Sequence, residues 1–233
     1  MSSRAIVEQA LSSYSSNQLI LASKLYAEHF STQMTELAYY KTLQRLCEKN
    51  ILAKIAKGVY CKPLVTRFGT VLPSNKEVIN EFTKNSTGTV VGYSMYNTLN
   101  LTTQVAKNIE VYSANIDEHQ KKVGSVCLTK CQMDFNEETI HAIQILEVLQ
   151  HYDTIQDMNN YSFIRLCKDY SGRYNSEACK YVLSKIKYSK RTIAFLRNIL
   201  DFYGVDNSLN EYLSSLSEYR IPSMEEIYET ARI

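Results

Sequence analysis

The stretch LQRLCEKNILAKIAKGVYCKP, from Leu43 to Pro63, limits the fold more than any other part of the chain. It begins with helical spacing and ends in a short alternating run around a Lys57-Gly58 corner. From Thr35 to Lys49 the spacing predicts a helix. At about 100° per residue, Tyr39, Tyr40, Leu43, Leu46 and Cys47 gather on one side, and Ala38, Lys41, Arg45 and Lys49 on the other. The first set needs a core, whereas the second is a basic face with one small residue that lets a surface approach. Asn50 suits a left-handed cap at the helix end. Ile51–Ile55 then predicts a strand, Ala56-Lys57-Gly58 a turn, and Val59–Cys61 the returning strand. Two earlier helices are expected, Arg4–Ser13 and Asn17–Glu28, the second from Leu19, Ala22, Leu25 and Tyr26 at helical spacing. A polar connection, His29–Met34, joins them to the third.

Three helices and a hairpin predict a winged helix-turn-helix domain over residues 1–63. Its third helix can enter the major groove of double-stranded DNA while the hairpin brings Lys54, Lys57 and Lys62 to phosphates. Between Lys41 and Lys62 the cations Lys41, Arg45, Lys49, Lys54, Lys57 and Lys62 stand against Glu48 alone. The front of the chain is also the basic part. Lys and Arg exceed Asp and Glu by 4 over residues 1–63 and by 2 over 64–130, and fall short by 4 over 131–233. The expected groove contacts are Lys41, Thr42 and Arg45, with Lys49 on the same basic face counted among the DNA-binding residues. Arg45 can pair bidentately with guanine, or instead with Glu48 three residues on along the helix. Gln33 and Thr35, near the helix start, bind phosphate or base, or simply cap the helix. Lys54 and Lys57 are expected at phosphates, adding affinity without sequence preference. The alternative is a solvated basic face on a small domain that binds protein and never meets DNA.

The rest of the chain predicts a small α/β unit over 64–130 and a helical region over 131–233, giving a helix-rich α+β fold overall. Only 7 glycines and 3 prolines in 233 residues signal few turns, which disfavours a β-sandwich. Ser74 and Glu77 form a capping-box pattern ahead of a helix over Lys76–Lys84. Gly92 opens another over Tyr93–Leu99, closed by Asn100, and Ile109–Ala114 and Lys122–Leu128 predict strands. Helices are expected over Asn136–Tyr152, Tyr161–Asp169, Ser176–Lys187, Ser189–Tyr203, Leu209–Leu216 and Met224–Ala231. Between Glu177 and Asp201 no acid interrupts Lys180, Lys185, Lys187, Lys190, Arg191 and Arg197. Lys187, Lys190, Arg191 and Arg197 therefore form a candidate secondary basic surface for nucleic acid or an acidic protein, or a solvated helix face.

Enzymatic chemistry finds little support. There is no G-x-G-x-x-G, no G-K-[ST] and no G-x-S-x-G, and His29, His119, His141 and His151 lie apart in sequence. No catalytic residue, cofactor or metal is expected, although an unrecognised site in 64–233 is the alternative. The six cysteines include no C-x-x-C, and Cys127-x3-Cys131 lacks a following histidine pair, so buried reduced thiols are expected. No apolar signal segment or membrane-length apolar run is visible, which predicts a cytoplasmic protein without membrane contact.

Three spaced motifs carry a resemblance: RLCEKNILAKIAKGVYCKP, TRFGTVLPSNKEV and GYSMYNTLNLTTQV. Over about residues 35–130 the chain resembles the type IV antitoxins of bacterial abortive-infection systems, and most of all their short relatives of undescribed function. It departs from the pattern at Asn50 and Asn100, where glycine is usual, and asparagine is the next-best residue for the left-handed geometry. The resemblance implies a winged-helix autorepressor that binds its own promoter. It further implies that 64–233 counteracts a cognate nucleotidyltransferase-type toxin without a stable complex being required. Thr102, Thr103 and Gln104 end the signature, where they hold a helix-to-strand turn or bind a ligand. The oligomeric state is left open.

Overall fold

The computed structural model describes residues 3–214 and 217–231. The fold is α+β, with ten α-helices and nine short strands among the described residues. By packing, residues 1–81 with 122–126 form one unit, and 82–121 with 127–233 form the other.

The first unit opens with α1 (Ser3–Leu11), β1 (Leu19–Leu21), α2 (Ala22–His29), α3 (Glu36–Glu48), β2 (Ala53–Ala56) and β3 (Val59–Cys61). The strands form an antiparallel sheet in the order β1-β3-β2. Strand β1 corrects the expected helix over Asn17–Glu28. Asn17 takes a left-handed φ of 62°, and Leu19, Ile20 and Leu21 pair with Cys61, Tyr60 and Val59. Helical spacing was real only from Ala22 onward. Before it, cross-strand pairing outweighs local preference, because it buries Leu19 and Ile20. The core of this unit is made by Val7, Leu11, Ile20, Leu25, Phe30, Tyr39, Leu43, Leu46, Leu52 and Tyr60. Tyr39 stacks at 5.3 Å centroid distance on Tyr26, Phe30 and Tyr40. Two further strands, β4 (Leu64–Thr66) and β5 (Gly69–Val71), make a separate two-stranded hairpin that the sequence pattern did not predict. Helix α4 (Asn75–Thr83) follows it. Its expected capping box is present: the Ser74 amide and hydroxyl donate to Glu77 Oε2 at 2.7 and 2.8 Å, and the Glu77 amide donates back to Ser74 Oγ.

Then come β6 (Gly88–Val91), α5 (Gly92–Thr98), β7 (Ile109–Ser113), β8 (Gln120–Val123) and β9 (Val126–Lys130), with the sheet order β6-β7-β9-β8. Residues 122–126, at the β8–β9 turn, count with the first unit, while β6, α5 and β7 lie in the second. The expected single strand over Lys122–Leu128 is two strands. Gly124, at φ 61°, turns the chain between Val123 and Val126. Helix α6 (Glu137–Gln150) packs on β6, α7 (Asn160–Gly172), α8 (Ser176–Lys185) and α9 (Lys190–Phe202) pack on α6, and α10 (Met224–Thr230) packs on α7 and α9. Asn136, Asn159, Asn175, Ser189 and Ser223 each cap the helix they precede with a side-chain oxygen. The expected helix over Leu209–Leu216 is a single 3-10 turn, Leu209–Tyr212, and Leu216 lies outside the described residues. Helix α6 is buried nearly all round, from Ala142 to Leu149, and forms the centre of this unit's core. No helix among the described residues is long and apolar enough to cross a membrane.

Candidate nucleic-acid interface

Helix α3 is where periodicity becomes a surface. Thr35 caps it, its Oγ1 accepting from the Ala38 amide at 3.4 Å. Asn50 leaves it at φ 56°. One face is buried through Tyr39, Thr42, Leu43 and Leu46. On the other, Leu37, Lys41, Gln44, Arg45, Glu48 and Lys49 are exposed. At 1.5 Å per residue, Lys41 to Lys49 covers about 12 Å of helix. No ion pair holds Arg45 among the described residues. The nearby acid, Glu48, accepts instead from Gln44 Nε2 at 3.2 Å. The pairing of Arg45 with Glu48 that the spacing allowed is therefore not made, and the guanidinium faces solvent with its donors available.

Thr42 departs from the expected groove set. It is 6% exposed, and its hydroxyl donates to the Ala38 carbonyl at 2.9 Å. It lies at the edge of the apolar face, where a threonine can bury its methyl and satisfy its hydroxyl within the helix. Thr35 is occupied as the cap, while Gln33, in the turn before the helix, is exposed.

The β2–β3 hairpin adds Lys54 and Lys57, both exposed. Gly58 makes its turn at φ 71°, a conformation that side chains with a Cβ resist. The register slips between Lys54 and Ala56, leaving Ile55 without a partner in the ladder. Lys62 does not join these cations. Its Nζ donates to the Tyr14 carbonyl at 2.7 Å, where it ties the strand end to the segment after α1. From Lys49 to Lys76 the chain has no acid and carries Lys49, Lys54, Lys57, Lys62, Arg67 and Lys76. A segment of this charge can attract a polyanion.

The candidate secondary surface is built otherwise. Lys187 and Lys190 are exposed. Arg191 pairs with Asp153 at 2.8 Å and donates to the Arg220 carbonyl at 2.8 Å. Arg197 donates to Asn198 and Asn210 and lies 3.6 Å from Asp201. Two of its four cations thus serve the packing of their own unit.

In the signature end LTTQ, Leu101, Thr102 and Gln104 are held by hydrogen bonds, while Thr103 is exposed. The Thr102 hydroxyl donates to the Gln156 carbonyl at 2.6 Å, Gln104 Nε2 donates to Asp157, and Asn97 donates to the Gln104 carbonyl at 2.9 Å. The Leu101 carbonyl accepts from the Asn159 amide at 2.8 Å. The segment after α5 is thereby fixed to the loop between α6 and α7.

One polar cluster was missed from the sequence. Glu147, on α6, is 5% exposed, and its Oε1 accepts from the hydroxyls of Tyr112 and Tyr188, each at 2.9 Å. His151 Nε2 lies 3.8 Å from the other carboxyl oxygen. Burial pushes the carboxyl above the usual range, against the lowering effect of the two tyrosines and of His151. The signal was a lone acid inside the apolar run Ile145–Leu149. Among the described residues no group of three or more His, Cys, Asp and Glu could hold a metal ion. The thiols are unpaired, and burial raises Cys61 and Cys179 to about 11, so both stay protonated and inert.

Residues 17–159 match a protein family described as a family of unknown function (DUF6088). No curated protein matches the chain.

Proposed function

We propose that this chain, which belongs to the DUF6088 family, is a DNA-binding regulator whose first unit is a winged helix-turn-helix. The element order α1-β1-α2-α3-β2-β3, with β3 between β1 and β2, suits that reading. Helix α3 would lie in the major groove as the recognition helix, and the β2–β3 hairpin would be the wing. The observation that carries the reading is the exposed Arg45, without an ion-pair partner among the described residues, beside Lys41 on α3 and in the same unit as Lys54 and Lys57. Arg45 would read a guanine edge, and the lysines would neutralise phosphates.

The resemblance to type IV antitoxins extends this to an autorepressor that binds its own promoter, with the remainder of the chain opposing a nucleotidyltransferase-type toxin. No catalytic role is assigned to any residue. Fluorescence anisotropy with a labelled fragment of the chain's own upstream region tests the DNA reading. Affinity should fall steeply as salt rises. Affinity insensitive both to salt and to Arg45→Ala would end it. Co-expression of the full chain with a nucleotidyltransferase encoded beside it tests the antitoxin role, and failure to restore growth would remove that part alone.

A further inference from the structure

The β4–β5 hairpin exposes more apolar surface than a free hairpin tolerates. Phe68 is 85% and Val65 75% exposed, with Leu64, Val71 and Leu72 also exposed. None of these residues joins the core of the first unit. An isolated two-stranded hairpin is marginal in water, and large apolar side chains left exposed on both of its faces, Leu64 and Val71 on one and Val65 on the other, mark a contact surface. Its tip is nevertheless ordered by its own bonds. Leu64 pairs with Val71, Val65 with Thr70 and Thr66 with Gly69. The Thr66 hydroxyl accepts from the Phe68 amide at 3.2 Å and donates to the Gly69 carbonyl at 3.0 Å. Gly69, at φ 115°, completes a turn open only to glycine. Arg67 and Phe68 occupy the two positions of the loop, with the guanidinium 4.6 Å from the ring centroid.

We propose that this hairpin is a second DNA-contacting element whose Arg67–Phe68 tip enters the minor groove of the duplex that α3 reads. The proposal rests on the DNA-binding reading above. Charge selects the occupant: the hairpin lies within the acid-free segment Lys49–Lys76, and Arg67 has no acidic partner among the described residues. A second copy docked on the same patch would bring Arg67 and its neighbouring cations against their own images, which is unfavourable. The hairpin is also continuous with the wing, since only Lys62 and Pro63 separate β3 from β4. Tip geometry selects the groove. A two-residue tip suits a groove about 6 Å wide that excludes a helix. There the negative potential attracts an arginine, and an apolar ring can wedge between base steps and bend the duplex.

Three substitutions separate the outcomes, measured by anisotropy on the labelled upstream fragment and by energy transfer between dyes on its two ends. Phe68→Ala should weaken binding about tenfold, leave the salt slope unchanged and reduce the bend. Arg67→Ala should weaken binding and lower the slope by about one. Arg45→Ala reports the α3 contact independently. If Arg45→Ala weakens binding while Phe68→Ala binds and bends like the wild type, the hairpin proposal fails and the DNA reading stands. If the wild type binds no duplex, both fail. If Phe68→Ala leaves DNA affinity intact but abolishes self-association in sedimentation, the hairpin is a subunit contact and the proposal is overturned.

Discussion

The exposed face of α3, in the first unit, and the arginines at α7 and α9, in the second, handle their charge in opposite ways. On the first, Lys41, Arg45 and Lys49 along α3 stand in solvent, with the only acid among them, Glu48, taken by Gln44. On the second, Arg173 is held by Asp169, Arg191 by Asp153 and a carbonyl, and Arg197 by two asparagines with Asp201 nearby. Like charges on one face repel one another, so packing within the unit does not account for them. Paired cations are explained by the fold that pairs them. The second unit places its unusual electrostatics inside instead, at Glu147. On the proposed reading, binding resides in the first unit while the second unit's arginines serve its packing, and single substitutions can break that division.

The largest effect is expected at Arg45. Arg45→Ala should cost about 1–3 kcal/mol of affinity for the upstream fragment, up to roughly a hundredfold, and relax preference at one base position. Its thermal midpoint should stay near that of the wild type, because the side chain is exposed and makes no ion pair among the described residues. Loss of folding instead of binding would place Arg45 on the stability side and dissolve the comparison.

Next comes the buried acid of the second unit. Tyr188→Phe removes one of two donors to Glu147 and should destabilise by about 1–3 kcal/mol in urea unfolding, with DNA affinity unchanged. The pH dependence follows from the same group. A carboxyl whose folded pKa is raised contributes stability that is fully present below its unfolded value and is lost as pH rises through the folded one. Stability should therefore fall as pH climbs from about 4. Glu147→Gln should remove that fall, since both tyrosines bond the one oxygen Oε1, which an amide carbonyl can replace. An unchanged pH profile in Glu147→Gln would show that the carboxyl is not perturbed.

These two sites differ in how much the sequence disclosed. The α3 face was legible because a helix half in solvent repeats its polarity every 3–4 residues, and Lys41 and Arg45 fall in phase. Thr42 was misplaced because phase alone cannot tell a boundary threonine that bonds its own backbone from one that faces out. Strand β1 was hidden because Leu19, Ile20 and Leu21 fit either period until Cys61, Tyr60 and Val59 arrive to pair with them. The β4–β5 hairpin has too few residues per strand to show alternation, and its tip became visible only through exposure. Glu147 shows in the sequence only as a lone acid in an apolar run, which does not reveal what it bonds. Its partners Tyr112 and Tyr188 lie 35 and 41 residues away, and only tertiary packing brings them together.

A smaller effect is expected at the wing. Lys54→Ala and Lys57→Ala should each flatten the slope of log affinity against log salt by about one, while preference among sequences stays as it was. A change in preference without a change in slope would move these lysines from phosphates to bases and alter the docking assigned to α3.

The smallest effect tests the second unit's cations. Arg191 is a third exposed and lies within the run Lys180–Arg197 that charge alone marks as a second basic surface. Its guanidinium is already used twice, by Asp153 and by the Arg220 carbonyl. To reach a phosphate it would have to leave both, exchanging one anion for another at little gain. Removing it should therefore act on folding only. Because Asp153 is 60% exposed and solvent screens the pair, Arg191→Ala should destabilise by no more than about 1 kcal/mol. DNA affinity and its salt slope should be unchanged. A slope lowered by about one in Arg191→Ala would mean that the pair opens on binding. The second unit would then share the duplex with the first.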